Sequence, residues 1–296
     1  MSGDYQIVRL ANGEKTLFSA SYGEKMHPGL GPSAEAELLY VRQLNIRERL
    51  ESAKEELVVW DVGLGAAANA TALLRATREV AGRLHIVSFD NTMEPLAFAL
   101  ENARELSHVR GFERPIAALL GGGLAQFENG RTEVVWEFRL GDFPDWLARR
   151  LPSGEGHGAG GLAGGGPHAI FYDAFSPAKN PAMWTLPVFA NLFRALAPER
   201  ACALTTYSRS TMVRATLLLA GFYVGVGHAT GFKEETTIAA NGLNLIAAPL
   251  DARWLERAER SDSAEPLRAT AYAGSPATKE TLQALRRHPQ FAARSS

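Results

Sequence analysis

The sequence is short of the residues that would place it outside the cell or in a membrane. It has one cysteine, Cys202, so no internal disulfide can form, and Ala201, Ala203 and Leu204 around it read as a buried strand. That usage suits a reducing, cytoplasmic compartment. No apolar run approaches the ~18 residues that a bilayer span requires, and the first ten residues carry Asp4 and Arg9 in place of a signal peptide's apolar stretch. The seven histidines never fall at helical ligand spacing and no cysteine pair exists, so no metal site is expected. Neither sign of charge is in excess: 31 Lys+Arg against 32 Asp+Glu leave a formal net charge of −1, which excludes a uniformly basic nucleic-acid coat. Hydrophobic residues at 46% exclude disorder throughout, and 296 residues suffice for one large domain or two small ones.

What is there is an alternation of two periodicities. Asn12-Gly13 separates β-prone runs at 5–10 and 15–19 and has the chemistry of a tight hairpin turn. Pro32 and Ser33 lead into a helical pattern over 34–50 with Leu38, Leu39, Val41, Leu44 and Ile46, so residues 1–50 are expected to form a hairpin-and-helix extension. From Leu57, apolar runs at 57–60, 84–89, 169–172 and 201–205 alternate with helical stretches at 66–80, 94–106, 185–196 and 208–220. This is the pattern of an α/β fold, a mostly parallel sheet with helices on both faces, here spanning 51–250. Runs at 222–226 and 243–248 have no convincing helix between them and are predicted to pair antiparallel at one edge. Between Gly154 and Gly166, 8 of 13 residues are glycine, which predicts a surface loop, since no strand-turn-helix context marks a phosphate site. The tail, 251–296, carries Pro266, Pro276 and Pro289, with a short helix expected at 279–287 and no clear core.

Four stretches carry candidate chemistry. In Asp61-Val62-Gly63-Leu64-Gly65, at a strand-to-helix turn, Gly63 and Gly65 lack the Cβ that would keep a ligand from the backbone; alone, such a turn can equally be structural. Asp90 ends the next strand, where a carboxylate can accept both hydroxyls of a ribose. Ala66-Ala67-Ala68-Asn69 follows Gly65, so the third glycine of a dinucleotide fingerprint is missing. Asp61 would also repel a pyrophosphate and suits the methionyl ammonium of S-adenosylmethionine. Gly141-Asp142 closes a strand at 133–140; its carboxylate can receive the adenine amine, cap the helix containing Trp146 and Leu147, or do both. The most specific stretch is Asp173 to Trp184, at the end of the strand beginning at Ala169. Asp173 there can hold an amine, turn its lone pair toward an electrophilic methyl group and assist loss of its proton. Phe175 can stack on a nucleobase and Lys179 can meet a phosphate. A helix-entry loop with Asp173 as a local cap would explain the prolines but not the whole string.

The string DAFSPAKNPAMW closely resembles the Asp-x-Phe-x-Pro-x-Lys-Asn-Pro-x-Met-Trp signature of the methyltransferase domain of the MnmC family, the tRNA 5-methylaminomethyl-2-thiouridine biosynthesis proteins. The similarity extends over 17–248, with Thr206-Tyr207-Ser208, Val213-Arg214 and Ala220-Gly221-Phe222 matching the next strand and helix. The resemblance implies a Rossmann-like class I methyltransferase with S-adenosylmethionine as methyl donor and neither flavin nor metal. It implies methylation of the primary amine of 5-aminomethyl-2-thiouridine at the tRNA wobble position. Asp173 then takes the family's catalytic carboxylate position. Asp61, Gly63, Gly65 and Asn69 match the cofactor loop, Asp90 the ribose acid, Gly141 and Asp142 the adenine side, and Glu37 an N-terminal acid near the cofactor. Phe175, Ser176, Pro177 and Lys179 fall on the substrate side.

Family members carry this domain alone or fused to a flavin-dependent oxidoreductase. A chain of 296 residues without a second glycine fingerprint is expected to be the stand-alone, MnmD-like form, with another enzyme supplying the aminomethyl substrate. The sequence departs from the family pattern at Ala67, where glycine is usual, and after Gly231-Phe232-Lys233, where Glu234-Glu235-Thr236-Thr237 replaces a basic run. A tRNA partner finds support in residues 174–233, where Lys179, Arg194, Arg200, Arg209, Arg214 and Lys233 face Glu199 alone. Two other readings stay open: a methyltransferase of this fold acting on a small-molecule amine, and a noncatalytic RNA-binding or assembly protein.

Overall fold

The alternating runs become two compact units in a computed structural model that describes residues 3–151, 166–230 and 234–292. Nearly all of the glycine-rich stretch, 154–165, and Gly231, Phe232 and Lys233 lie outside the described residues. The first unit comprises residues 1–143, 169–175 and 228–234; the second comprises 144–168, 176–227 and 235–296.

The first unit opens with a small antiparallel sheet of β1 (Tyr5–Arg9), β2 (Lys15–Ser19) and β3 (Glu24–Lys25). The expected hairpin is present, and Gly13, at φ 88°, sits in its turn, closed by the Leu10 amide donating to the Glu14 carbonyl at 2.8 Å. The helix expected over 34–50 is instead broken into α1 (Pro32–Ala36), a π-helical stretch (Glu37–Arg42) and α2 (Ile46–Ser52). Leu39, Tyr40 and Val41 are all buried in the π-helical turn, three successive side chains that one face of a regular helix would not accommodate.

β4 (Leu57–Val62), α3 (Ala68–Thr77), β5 (Gly82–Asp90), α4 (Glu94–Glu101), α5 (Glu113–Gly122), β6 (Leu124–Asn129), β7 (Thr132–Leu140) and β8 (Ala169–Tyr172) follow. Their strands are ordered β8-β4-β5-β7-β6; the first three pairings are parallel, and β6 is antiparallel to β7. All four residues of β8 are buried, as a strand covered on both faces requires. Sequence reasoning found β7 but missed β6, although Asn129-Gly130, with Gly130 at φ 65°, carries the same turn chemistry as Asn12-Gly13.

The second unit contains α6 (Phe143–Arg150, apart from its first residue), α7 (Leu186–Ala195), β9 (Ala203–Thr206), α8 (Thr211–Leu219), β10 (Tyr223–Gly227), β11 (Thr236–Ala240), α9 (Ala252–Glu259), α10 (Lys279–Arg286) and α11 (Pro289–Ala292). β10, β11 and β9 are adjacent in that order and antiparallel. The full-length partner of β10 is thus β11; the run at 243–248 begins as a turn at Leu243–Leu245, and only its end meets β10 as expected, where the Val226 amide donates to the Ala248 carbonyl at 2.9 Å and Gly225 bridges Pro249 antiparallel. β11 is buried along its whole length between two strands, where the small residues of Thr-Thr-Ile-Ala-Ala fit and a run of large apolar residues is unnecessary.

The tail also has more core than expected: Trp254, Ala258, Ala264, Leu267 and Leu285 are buried. The side-chain amide of Gln290 accepts from the Val224 amide at 2.8 Å and donates to the Val224 carbonyl at 2.7 Å, completing β10 as a neighbouring strand would. Among the described residues no helix is long and apolar enough to cross a membrane.

Candidate active site

Parallel pairing of β8, β4, β5 and β7 sets Asp173, Asp61, Asp90 and Asp142 at the carboxyl ends of four adjacent strands, the edge where open α/β sheets bind ligands. The four acids differ in how they are held.

Asp61 is fully buried and lies across from Ser88 in the β4–β5 register. The Ser88 hydroxyl donates to Asp61 Oδ2 at 3.0 Å, and the buried Trp136 indole N–H donates to Ser88 Oγ at 2.9 Å. Because the indole can only donate, the Ser88 proton is directed at Asp61. Asp61 Oδ1 is buried with no hydrogen-bond partner. Burial pushes the Asp61 pKa up to about 7 against the pull of Ser88 and Asn69, and the nearby charges of Asp173 and Asp90 add to the rise.

The turn after β4 is held by its glycines. Gly63, at φ 94°, brings its own amide and that of Leu64 to the Phe89 carbonyl at 3.0 and 3.1 Å. A Cβ at Gly63 would lie 2.7 Å from the Asp173 carbonyl oxygen, so only glycine lets the ends of β4 and β8 approach. Asp90 Oδ2 accepts from the Gly65 amide at 2.9 Å, and Oδ1 from the Thr92 amide at 3.3 Å, while burial raises its pKa. Asp90 therefore also ties down the glycine turn. Ala67, where glycine is usual in the resembling family, takes the left-handed conformation at φ 62° and starts α3. Gly141 donates its amide to the Asp90 carbonyl at 2.8 Å, and Asp142 beyond it is exposed.

Asp173 is the centre of a polar triangle. Asn69, in the first turn of α3, donates from Nδ2 to Asp173 Oδ2 at 2.9 Å, and His27 Nε2 lies 3.2 Å from that oxygen and 3.4 Å from Asn69 Oδ1. Burial alone would raise the Asp173 pKa, but the hydrogen bond and charge of His27, with hydrogen bonds from Asn69 and Tyr40, hold it below the ordinary carboxylate range. The same pairing reverses the effect of burial on His27 and raises its pKa.

Other expected residues lie further from this arrangement. Glu37 pairs with Arg42 at 3.1 Å; it is Tyr40, further along the same π-helical stretch, that helps to lower the Asp173 pKa. Phe175 stacks on Tyr22, ring centroids 4.0 Å apart and planes 14° from parallel. Ser176, Pro177 and Lys179 belong to the second unit, where the Ser176 carbonyl accepts from the amides of Lys179 and Asn180 at 2.8 and 2.7 Å, and Lys179 is exposed. Sequence reasoning missed His27, Tyr40, Ser88 as a hydrogen-bond donor to Asp61, and Trp136.

The basic stretch is also reduced. Arg214 is 1% exposed and bonds through Nε to Thr237 Oγ1, through Nη1 to Glu235 and through Nη2 to the Thr236 carbonyl, so it is not free to meet phosphate. Arg200 donates to the Gly166 carbonyl at 2.6 Å, Arg209 and Lys179 are exposed, and Lys233 lies outside the described residues. Among the described residues no group of three or more His, Cys, Asp or Glu could hold a metal ion.

Residues 165–242 match a family described as S-adenosyl-L-methionine-dependent methyltransferase. The chain is 28% identical, over 84% of its length, to the tRNA 5-methylaminomethyl-2-thiouridine biosynthesis bifunctional protein MnmC of Cupriavidus necator, and 29% identical, over 74%, to that of Aeromonas hydrophila. These alignments span only 37% and 33% of the two relatives, about a third of each. A crystal structure of MnmC2 from Aquifex aeolicus superposes with a TM-score of 0.67 at 26% identity, covering 96% of this chain and 83% of that one. In sequence and fold, then, the chain is a Rossmann-like protein similar to the methyltransferase portion of MnmC.

Proposed function

We propose that this chain is an S-adenosylmethionine-dependent N-methyltransferase that converts 5-aminomethyl-2-thiouridine at the tRNA wobble position to 5-methylaminomethyl-2-thiouridine in the cytoplasm. The observation that carries this reading is the row of acids at the ends of β8, β4, β5 and β7, among them the buried Asp61 and the partly buried Asp173, whose proton affinities are shifted in opposite directions. The similarity to MnmC supplies the substrate class.

The donor set fits the cofactor. The buried, unpartnered Asp61 Oδ1 is an acceptor for the methionyl ammonium, which would hold Asp61 as the carboxylate. Gly63 and Gly65 keep the adjoining turn free of Cβ atoms; in this reading Asp90 accepts the ribose hydroxyls, and Gly141 and Asp142 are assigned to the adenine. When bound, S-adenosylmethionine would supply an electrophilic methyl group. The protein must then present a neutral amine to it, since an ammonium has no lone pair.

Asp173 is suited to that work. It is an anion fixed at one oxygen, so it can accept an N–H of the substrate amine and set the direction of the lone pair. The ammonium proton passes to water before attack; as the N–C bond forms, the S–CH3 bond of the donor would break to leave a neutral thioether, and the carboxylate stabilises the positive charge that returns to nitrogen. Phe175, with Tyr22 behind it, offers an aromatic surface to a base, and Lys179 a cation to phosphate.

Labelled S-adenosylmethionine and tRNA from cells lacking the modification test this directly, with nucleoside analysis of the product. Label in 5-methylaminomethyl-2-thiouridine is expected. Label on free amines with none on tRNA would assign the same site to a small-molecule amine. Absence of transfer, together with no cofactor-induced rise in Tm, would favour a noncatalytic protein.

A further inference from the structure

We infer that His27 is a positioning residue for the methyl transfer proposed above: with Asn69 it pins Asp173 through Oδ2 and keeps the carboxylate in the anionic, oriented state that receives the substrate amine. The inference rests on that functional reading for its substrate but on independent geometry for its mechanism.

Three residues from separate parts of the first unit meet at one oxygen. His27 comes from the loop between β3 and α1, Asn69 from α3 and Asp173 from the end of β8. His27 Nε2 lies within hydrogen-bonding reach of both Asp173 Oδ2 and Asn69 Oδ1, so a single N–H is shared between them while the Asn69 amide donates onward to Asp173. The triangle fixes all three side chains. It also sets the amide orientation of Asn69: its oxygen faces the His27 donor and its nitrogen faces the carboxylate.

The backbone at His27 is strained where it makes this contact. Its φ is 53°, in the left-handed region, and it precedes Pro28, a position where sterics favour extended conformations. Strain of this kind persists where the surroundings hold it and concentrates at functional sites.

The charges around His27 favour its cation. Asp173 faces it from β8, and Glu35 from α1, whose carboxylate also accepts from the Gly29 amide at 2.5 Å. Asn69 faces it from α3. On the opposing side stands His108, buried, bonded to the Ala66 carbonyl at 3.0 Å and itself pushed down to about 4, so it is neutral and adds no repulsion near pH 7. Tyr40 from the π-helical stretch helps to lower the Asp173 pKa, and the charges of Asp61 and Asp173 oppose each other. Loss of the His27 charge would leave only the hydrogen bonding of Asn69 and Tyr40 against burial and the charge of Asp61, both of which raise the proton affinity of Asp173. Asp173 would then be protonated over a wider pH range, with no free anion for the amine.

The test has two arms. In the first, His27→Gln, which keeps an N–H donor but cannot carry charge, is compared with the wild type for tRNA methylation across pH. The expected result is a fall in kcat of about 10-fold or more, an acid limb moved to higher pH by about one unit, and an unchanged Tm rise with S-adenosylmethionine. An acid limb at the wild-type position would overturn the inference. The second arm needs no substrate: the His27 ring is titrated by NMR in the wild type and in Asp173→Asn. A wild-type pKa above 6.5 that falls below it in the variant is expected; a pKa that does not respond to Asp173 would overturn the inference. If wild-type protein fails to methylate tRNA, the functional reading fails, while the NMR arm still decides whether His27 and Asp173 form the proposed pair.

Discussion

Each unit of the molecule buries an ion, and the two are treated in opposite ways. In the second unit Arg214 is 1% exposed, and its three guanidinium nitrogens find acceptors at Thr237, Glu235 and the Thr236 carbonyl, 2.8–3.1 Å away. In the first unit Asp61 is fully buried with Ser88 on one oxygen and no completed hydrogen bond on the other, although Asn69 lies near enough to pull its pKa down. A charge whose hydrogen bonds are all made within the fold is part of the scaffold. A buried charge left with an open acceptor is costly unless a ligand completes it, and its raised pKa records that cost. By this criterion the acid edge of the first unit is the proposed site, and the arginine in the basic stretch is architecture.

Substitutions separate the two kinds of burial. The largest effect is expected at Asp173: Asp173→Ala should lower kcat by ~10²–10⁴-fold while preserving the Tm rise with S-adenosylmethionine, measured on hypomodified tRNA. Turnover near the wild-type rate would remove Asp173 from the reaction. Arg214→Met should do the reverse, lowering stability by about 3 kcal/mol in urea titrations, at the low end for a broken buried pair because Glu235 is partly solvated. Its activity per folded molecule should be unchanged; lost activity in fully folded protein would break the contrast.

Asp61→Asn should weaken S-adenosylmethionine about 10–100-fold by equilibrium titration, the worth of a hydrogen bond to a charged group. Ala67→Gly is the smallest change. Relief of the left-handed alanine at φ 62° is partly offset by the extra flexibility of glycine in the unfolded chain, leaving a gain of about 0.5–1 kcal/mol and a Tm higher by ~2 °C. A lower Tm would show that the methyl group's packing outweighs the strain.

The acids were legible in the sequence for a simple reason. Asp61, Asp90, Asp142 and Asp173 each follow an apolar run, and parallel strands joined by helices must all end at one edge. His27 had no such context. It sits in an irregular loop of the extension, and its proximity to Asp173 depends on how a small antiparallel sheet and a broken helix fold, which no periodicity encodes. The π-helical turn was hidden because Leu38, Leu39 and Val41 fit an ordinary helical stripe nearly as well. β11 was overlooked because Thr-Thr-Ile-Ala-Ala is modestly apolar, whereas the turn at Leu243–Leu245 contains two leucines that remain unburied. The charge count likewise located Arg214 but could not show that its guanidinium turns inward.

The central claim is that the acid edge of the first unit binds S-adenosylmethionine through an oxygen left open in the protein. Calorimetric titration of the wild-type protein with S-adenosylmethionine from pH 5.5 to 8 tests it most directly. Because Asp61 is pushed up to about 7 and its carboxylate form is the one that binds the ammonium, affinity should be level above pH 7. Below that it should fall towards tenfold per pH unit, with proton release on binding. In Asp61→Asn that slope should vanish. No binding at any pH, or a wild-type affinity that is flat across the range and unaltered by Asp61→Asn, would contradict the account.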